Sequence, residues 1–205
     1  ADPAPATAVW TLTGSNAFAV LKLYGSSFSE LYRAVLNSAS EVRFCTFQNF
    51  GNITAASALF DNCTFQDLAT AAPISATYGV VVTVSTTLTN CKFINCATAV
   101  SWNVAVDTNG KLDSTTFISG GTGHAIELGT NTPSELSLTS VTFTNYGSAG
   151  TTDAAIYNNS EKAIIINILG TGNVPTIRNG AGASTTVVAG TVSTTITVKD
   201  INTGS

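Results

Sequence analysis

The chain has 205 residues, 44% hydrophobic but only 10% charged, with 8 Lys and Arg against 12 Asp and Glu and a formal net charge of −4. That length suits one domain with a substantial core, or a domain with a short appendage, and the apolar share is too high for a disordered chain. The basic residues are scattered singly, which excludes a phosphate-binding stripe and hence nucleic acid as a partner, and no apolar run reaches the ~18 residues that would insert a helix in a membrane.

Residues 1–19 open with "ADPAPATA" and the chain contains no Met, so this stretch reads as an N-terminal extension or cap whose start was left by processing, such as removal of a signal peptide. "SELYRAVLN", from Ser29, is the one segment with a helical pattern, and the sequence predicts a short helix there that caps the first repeat. Next a phrase recurs: a small residue, any residue, then Phe. It reads Cys45-Thr-Phe47, Cys63-Thr-Phe65, Cys91-Lys-Phe93, Thr115-Thr-Phe117 and Val141-Thr-Phe143, with Ser26-Ser-Phe28 as a weaker copy. The Phe-to-Phe steps are 19, 18, 28, 24 and 26 residues, a range of self-similarity that signals stacked repeats. On a strand the small residue and the Phe share one face and the residue between them faces water. Strand signals dominate the remainder: "YGVVVTVSTTLTN", "AIIINIL", "STTVVAG" and "TVSTTITV".

These features predict an all-β chain: a right-handed parallel β-helix of about six coils over residues 20–166, with a C-terminal β-hairpin or small β-extension over 167–205. The "NCxFxN" phrase, its spacing and the polar turns resemble the right-handed parallel β-helix proteins, the group that includes pectate lyases, phage tailspikes and many bacterial surface proteins. The resemblance covers roughly Val20 to Tyr157. It implies a fold that carries lyases, hydrolases and inert spacers alike. Stacking the coils would place Phe28, Phe47, Phe65, Phe93, Phe117 and Phe143 in one interior column and Cys45, Cys63, Cys91, Thr115 and Val141 in the column beside it. A slip of one residue would turn every Phe to water, so the repetition fixes register.

The candidate chemical groups are few. Cys45, Cys63 and Cys91 read as small core hydrophobes, with a bridge through Cys91 or Cys96 as the alternative; parallel neighbours point their side chains the same way, which suits a disulfide dihedral poorly. With no CxxC and His124 as the only histidine, no metal site and no cofactor are expected. Asn49, Asp67 and Asn145, two residues after a Phe, read as turn residues. The acids Asp61, Asp67, Asp107, Asp113, Glu127, Glu135 and Asp153 are dispersed, with Asp61 and Asp113 expected on the inward or corner side of their strands. His124 and Glu127 in "GTGHAIEL" come nearest to a catalytic pair, and the plainer reading makes His124 a surface histidine near a turn. Thr46, Thr64, Thr116 and Thr142 form a row that Lys92 interrupts, a poor match to ice-binding solenoids. Asn52, Asn62 and Asn158 head glycosylation sequons, which matter only in a eukaryotic secretory host.

The segment from Asn167 to Ser205 resembles the tail that follows β-helices in phage virion proteins and large bacterial surface chains, where a further β-module often continues. The expectation is therefore a non-enzymatic structural protein of a virion or cell surface, such as a phage capsid decoration or tail-associated protein. The alternatives are an extracellular filament subunit or adhesin stalk, and a small polysaccharide lyase or hydrolase. Expected partners are further copies of the chain or neighbouring virion and surface proteins, with room for a glycan contact. Terminal strands from Ser184 to Val198 would make the contact, or an outer face of the coils would.

Overall fold

The computed structural model describes residues 9–12, 22–29, 31, 33–36, 40–55, 58–71 and 76–190. Within them the chain is all strand, and every strand pair is parallel. β1 (Val9–Leu12) is followed by β2 (Lys22–Tyr24), β3 (Ser27–Ser29) and β4 (Arg33–Leu36). Then come β5 (Glu41–Arg43), β6 (Thr46–Phe50), β7 (Asn52–Ala55), β8 (Leu59–Asp61), β9 (Thr64–Leu68) and β10 (Val80–Val82). β11 (Thr87–Thr89), β12 (Lys92–Ile94), β13 (Thr98–Trp102), β14 (Thr116–Ile118) and β15 (His124–Leu128) continue the series. It closes with β16 (Glu135–Thr139), β17 (Thr142–Thr144), β18 (Ile156–Asn158), β19 (Ala163–Leu169), β20 (Ile177–Asn179) and β21 (Ser184–Ala189).

From β1 to β13 the chain deals these strands to three sheets in strict rotation; a strand is then skipped between β13 and β14 and between β19 and β20, and a fourth sheet takes the place of one of the three. An eight-stranded sheet has the order β1-β4-β7-β10-β13-β15-β18-β20, a four-stranded sheet β11-β8-β5-β2, a six-stranded sheet β17-β14-β12-β9-β6-β3, and a three-stranded sheet β16-β19-β21. Within a sheet each inner strand lies beside one strand of the round before and one of the round after, so long-range pairing alone builds every sheet.

The corners explain how strands of three to five residues can be short and still in register. Just before each small core residue stands one with left-handed backbone: Gly25 (φ 58°), Phe44 (55°), Asn62 (52°), Asn90 (54°), Ser114 (56°) and Ser140 (55°). The amides of Phe44, Asn62 and Asn90 donate to the carbonyls of Asp61, Thr89 and Asp113 at 3.1, 3.1 and 3.0 Å, so the hydrogen-bond ladder runs through the bend. A second corner, two residues after the Phe, holds Asn49 (47°), Asp67 (54°), Asn95 (52°) and Asn145 (62°). Asn, Asp and Gly tolerate this conformation; a bulky side chain such as Phe44 pays about 1–2 kcal/mol for it.

The six Phe rings stack face to face. Their centroids are 5.2 Å apart from Phe28 to Phe47, 5.1 to Phe65, 4.6 to Phe93, 5.1 to Phe117 and 5.5 to Phe143, with interplanar angles of 14° or less. Phe93 is 1% exposed, Phe28 half-buried at the start of the column. Cys45, Cys63, Cys91, Thr115 and Val141 are all buried beside it. Thr115 supplies the only hydroxyl among these five, and it donates to the Leu88 carbonyl at 2.7 Å.

One expectation fails here. No helix forms in "SELYRAVLN": Arg33–Leu36 is strand β4, paired with β1 on one side and β7 on the other. Ala34 and Leu36 are buried while Arg33 is exposed, a period of two. A nine-residue helix is marginal alone, and two parallel ladders offer these residues more hydrogen bonds and burial. At the other end, β21 joins β19 in parallel, and residue 166 falls inside β19, where Ile164, Ile166 and Ile168 point into the core, so this part of the C-terminal segment extends the parallel sheets. "TVSTTITV" and residues 1–8 lie outside the described residues.

Candidate functional site

Two polar clusters stand on the outer faces of the sheets. The first is on the four-stranded sheet. Arg43 Nη1 donates to Asp61 Oδ2 at 2.7 Å, Arg43 Nε to Glu41 Oε1 at 2.5 Å, and Lys22 Nζ lies 3.7 Å from Glu41 Oε2. Asp61 Oδ1 also accepts from Asn90 Nδ2 at 2.9 Å and Asn62 Nδ2 at 3.1 Å. Those amides, Asn90 first, together with Arg43 hold the Asp61 carboxyl below its ordinary value of 3.8. The Arg43 hydrogen bond, followed by one from Tyr24, likewise lowers Glu41. Asp61 thus stands outward beside the corner, one of the two places expected for it, and not on the inward side: Phe60 is buried, and the left-handed bend at Asn62 breaks the alternation before Cys63 turns in again. Asp113 sits at the equivalent place and accepts from the Gly110 amide at 2.8 Å.

The second cluster is on the eight-stranded sheet around His124. The side chain is 5% exposed, which corrects the surface reading. Its Nδ1 lies 2.6 Å from the Ala154 carbonyl, a group that can only accept, so Nδ1 carries the proton and Nε2 turns its lone pair toward Arg178 Nη1 at 3.5 Å. The imidazole stacks on Tyr157 with centroids 5.0 Å apart, and the Arg178 guanidinium covers the other part of that ring, 4.6 Å from its centroid. Burial lowers the His124 pKa below 6.5, the Ala154 hydrogen bond opposes this, and the Arg178 charge lowers it further. The ring is therefore neutral at pH 7, stacked on Tyr157, and engaged at both nitrogens.

Glu127 is three residues along the same strand and does not hydrogen-bond His124; its Oε1 accepts from Asn159 Nδ2 at 3.0 Å. Glu127 instead lines a shallow open groove with Tyr78, Ser101, Asn103, Thr130 and Asn159. Gly129 gives the groove its floor, since a Cβ there would meet Asn103 Cγ at 2.4 Å. The two residues nearest to a catalytic pair in the sequence are thus held by different partners.

Three other carboxylates each accept from an amide. Asp67 Oδ1 accepts from Asn95 Nδ2 at 2.8 Å, Asp107 Oδ1 from the Ser137 amide at 2.6 Å, and Glu135 Oε1 from Asn167 Nδ2 at 2.8 Å. Asp153 lies in the connection from β17 to β18. Among the described residues no group of three His, Cys, Asp or Glu is arranged to hold a metal ion. All four cysteines are free thiols and buried; desolvation raises Cys91 well above 9.0 and pushes Cys96 up to about 12, so neither forms a thiolate nucleophile near neutral pH. Thr46, Thr64, Lys92, Thr116 and Thr142 do form one outer row, with Thr142 Oγ1 donating to Thr116 Oγ1 at 3.0 Å.

Asn158 stands apart. It is fully buried, at an inward position where earlier rounds place Trp102 and Leu128. Its Nδ2 donates to the Ser184 carbonyl at 3.0 Å and to Thr185 Oγ1 at 2.9 Å, while Oδ1 accepts from the Ser160 amide at 3.1 Å and hydroxyl at 2.6 Å. The amide ties β18 to β21 and leaves this sequon no room for a sugar.

Sequence reasoning missed the ion-pair row, the His124 stack and the Asn158 network. Glu41-Val-Arg43 and Asp61 offered a signal, one outward cation between two outward anions on neighbouring strands. Tyr157 and Arg178 offered none, because the register that brings them to His124 cannot be counted across connections of unequal length. Compared with protein-family models, curated proteins and solved structures, the chain matches none of them.

Proposed function

We propose that the chain is a right-handed parallel β-helix that works as a non-enzymatic structural component of a surface assembly, a virion part such as a capsid decoration or tail-associated protein. One observation carries this reading: the rotation of strands through the sheets repeats with the Phe column stacked from Phe28 to Phe143. Such a stack makes a stiff rod whose outer faces differ from round to round, which suits a spacer or a brick. The scarcity of charge, 20 charged residues in 205, supports assembly over life as a lone solute, since monomeric solenoids stay soluble with charged faces and polar caps. The strand β21 supports it too: it ends the three-stranded sheet among the described residues, and an edge of that kind invites a further strand. An extracellular filament subunit or adhesin stalk shares the same physics.

Electron microscopy of the native particle, with an antibody to this chain, tests the proposal. A regular array of label on virions, or along a filament, is the expected result. A chain found free in solution and active on polysaccharide would overturn it.

The groove beside Glu127 favours a second reading, an enzyme or binder acting on polysaccharide. Incubation with pectin, alginate, hyaluronan and bacterial capsular polysaccharides, with and without calcium, is expected to release neither unsaturated products nor reducing ends. Turnover that Glu127→Gln abolishes would establish the second reading in place of the first.

A further inference from the structure

We propose that the outer face of the four-stranded sheet, at its β2–β5–β8 end, docks a second copy of this chain through the exposed aromatics Tyr24 and Phe44 and the charge row Lys22, Glu41, Arg43, Asp61. The inference rests on the assembly reading above and names the contact.

Three observations carry it. Phe44 is 61% exposed and Tyr24 51%, while the Phe column keeps its own rings inside. Phe44 also occupies a left-handed corner (φ 55°) that the other rounds fill with Gly25, Asn62, Asn90, Ser114 and Ser140. An exposed aromatic there gains nothing from the core and strains the backbone; strain of this kind collects where a side chain has another task. Phe, Tyr and Arg side by side are also the composition of an interface anchor.

The charges choose the occupant. Lys22, Glu41, Arg43 and Asp61 are linked in that order by contacts of 3.7, 2.5 and 2.7 Å, so the row reads plus, minus, plus, minus. Turned through 180° the row reads minus, plus, minus, plus. A two-fold contact therefore sets Lys22 opposite the second copy's anionic end and Glu41 opposite its Arg43, so every cation faces an anion. That is the self-complementarity an isologous dimer requires. Each charge is already paired within its own chain, so burying the row strands no lone ion. A partner carrying a net charge finds no such match on this face, whose four charges sum to zero.

The test is sedimentation velocity of the full chain over a concentration series, with the unfolding midpoint of each variant measured alongside. Phe44→Asn installs the residue that Asn62 and Asn90 already use at this corner, so it keeps the fold, and Lys22→Glu sets like charges against each other across the two-fold axis. The expected result is reversible association of the wild type, weakened on the order of tenfold or more by either variant, with the midpoint of Phe44→Asn unchanged or raised. Val188→Ser, at the terminal strand, should leave association unchanged. Wild-type association that neither Phe44→Asn nor Lys22→Glu weakens would overturn this docking surface and leave the assembly reading standing, as would association lost only in Val188→Ser. A wild type that stays monomeric throughout also overturns it, and microscopy of the native particle then decides the assembly reading separately.

Discussion

The six-stranded and eight-stranded sheets are built by the same rounds of chain, yet they are written differently. On the six-stranded sheet the inward residue is Phe in all six strands. On the eight-stranded sheet one inward row runs Leu36, Ala55, Val82, Trp102, Leu128, Asn158 and the other Ala34, Ile53, Val80, Val100, Ile126, Ile156, so neither keeps one residue type throughout. The cause lies in the connections. Two residues, a left-handed one and a small buried one, always separate β2 from β3, β5 from β6, β8 from β9, β11 from β12 and β16 from β17. Between the six-stranded sheet and the eight-stranded sheet the connection varies from one residue, after β6, to eleven, after β9 and after β17. A corner of fixed length transmits register, so one residue type can serve every round. Connections of variable length reset it, and each round of the eight-stranded sheet must be filled to its own shape. Repetition marks where alignment is set, and variety marks where the chain has freedom to place new side chains. The His124 cluster and the groove beside Glu127 both stand on the varied sheet.

Core substitutions sharpen the contrast most. Phe93→Ala removes a ring stacked on both sides and should cost about 3–5 kcal/mol in denaturant unfolding. Its effect should be strongly non-additive with Phe65→Ala or Phe117→Ala, because the rings share contacts. Thr116→Ala on the outer face of the same sheet should stay within about 0.5 kcal/mol.

Asn158→Ala tests the varied sheet and should cost about 1–3 kcal/mol, because it leaves the Ser184 carbonyl and the Ser160 hydroxyl to find new partners away from water. For the same reason, deletion of residues 184–205 should unfold the last rounds, whereas deletion of 191–205 should leave them folded, as read by hydrogen exchange at β18 and β19.

Protonation gives a third handle. The folded His124 binds its proton only below 6.5, the value of the free side chain, so the unfolded state gains protons first as pH falls. Stability from this group is therefore complete above pH 6.5 and is lost as pH falls through the folded value. Thermal melts from pH 7.5 to 5 should show this loss in the wild type and a flatter profile in His124→Gln. The carboxyls of Glu41 and Asp61 act lower, below their ordinary values of 4.5 and 3.8. At the alkaline end, the Cys96 thiol, pushed up to about 12 by burial, predicts a second loss of stability above pH 9.0, where the unfolded thiol ionises and the folded one does not.

A further expected effect concerns the fixed corner. Phe44→Asn should stabilise the isolated chain by about 0.5–1 kcal/mol, and Asn90→Val should destabilise it by about 1–2 kcal/mol, since the same left-handed backbone suits Asn and opposes a β-branched residue. Effects of opposite sign at these two positions would show that the corners are equivalent; a neutral Asn90→Val, which also gives up the hydrogen bond to Asp61, would show that they are not.

What could be read in the sequence follows the same division. The Phe column and the cysteines beside it were legible because the corner that precedes them never changes length. The left-handed column was legible in principle, since Gly25, Asn62, Asn90, Ser114 and Ser140 all precede the small residue, but Phe44 hides the pattern. The strand β4 was misread because Leu31, Ala34 and Val35 also fit a helical spacing, and only the neighbouring strands decide between the two periods. Asp61 could be read as inward or at a corner, and the corner holds because counting in twos fails across the left-handed Asn62. His124, Tyr157 and Arg178 come together across 54 residues of chain, so their meeting could not be counted from the sequence.

The central claim is that one aromatic column aligns successive rounds of the chain. Nuclear Overhauser contacts between the rings, in protein labelled selectively at Phe, test it most directly. Phe93 should show ring contacts to Phe65 and to Phe117, with the chain of contacts continuing to Phe47 and Phe28 on one side and Phe143 on the other, and a soluble paramagnetic probe should leave Phe93 untouched. A Phe93 ring that lacks either neighbour, or that the probe broadens, would contradict the alignment and with it the placement of every outer residue.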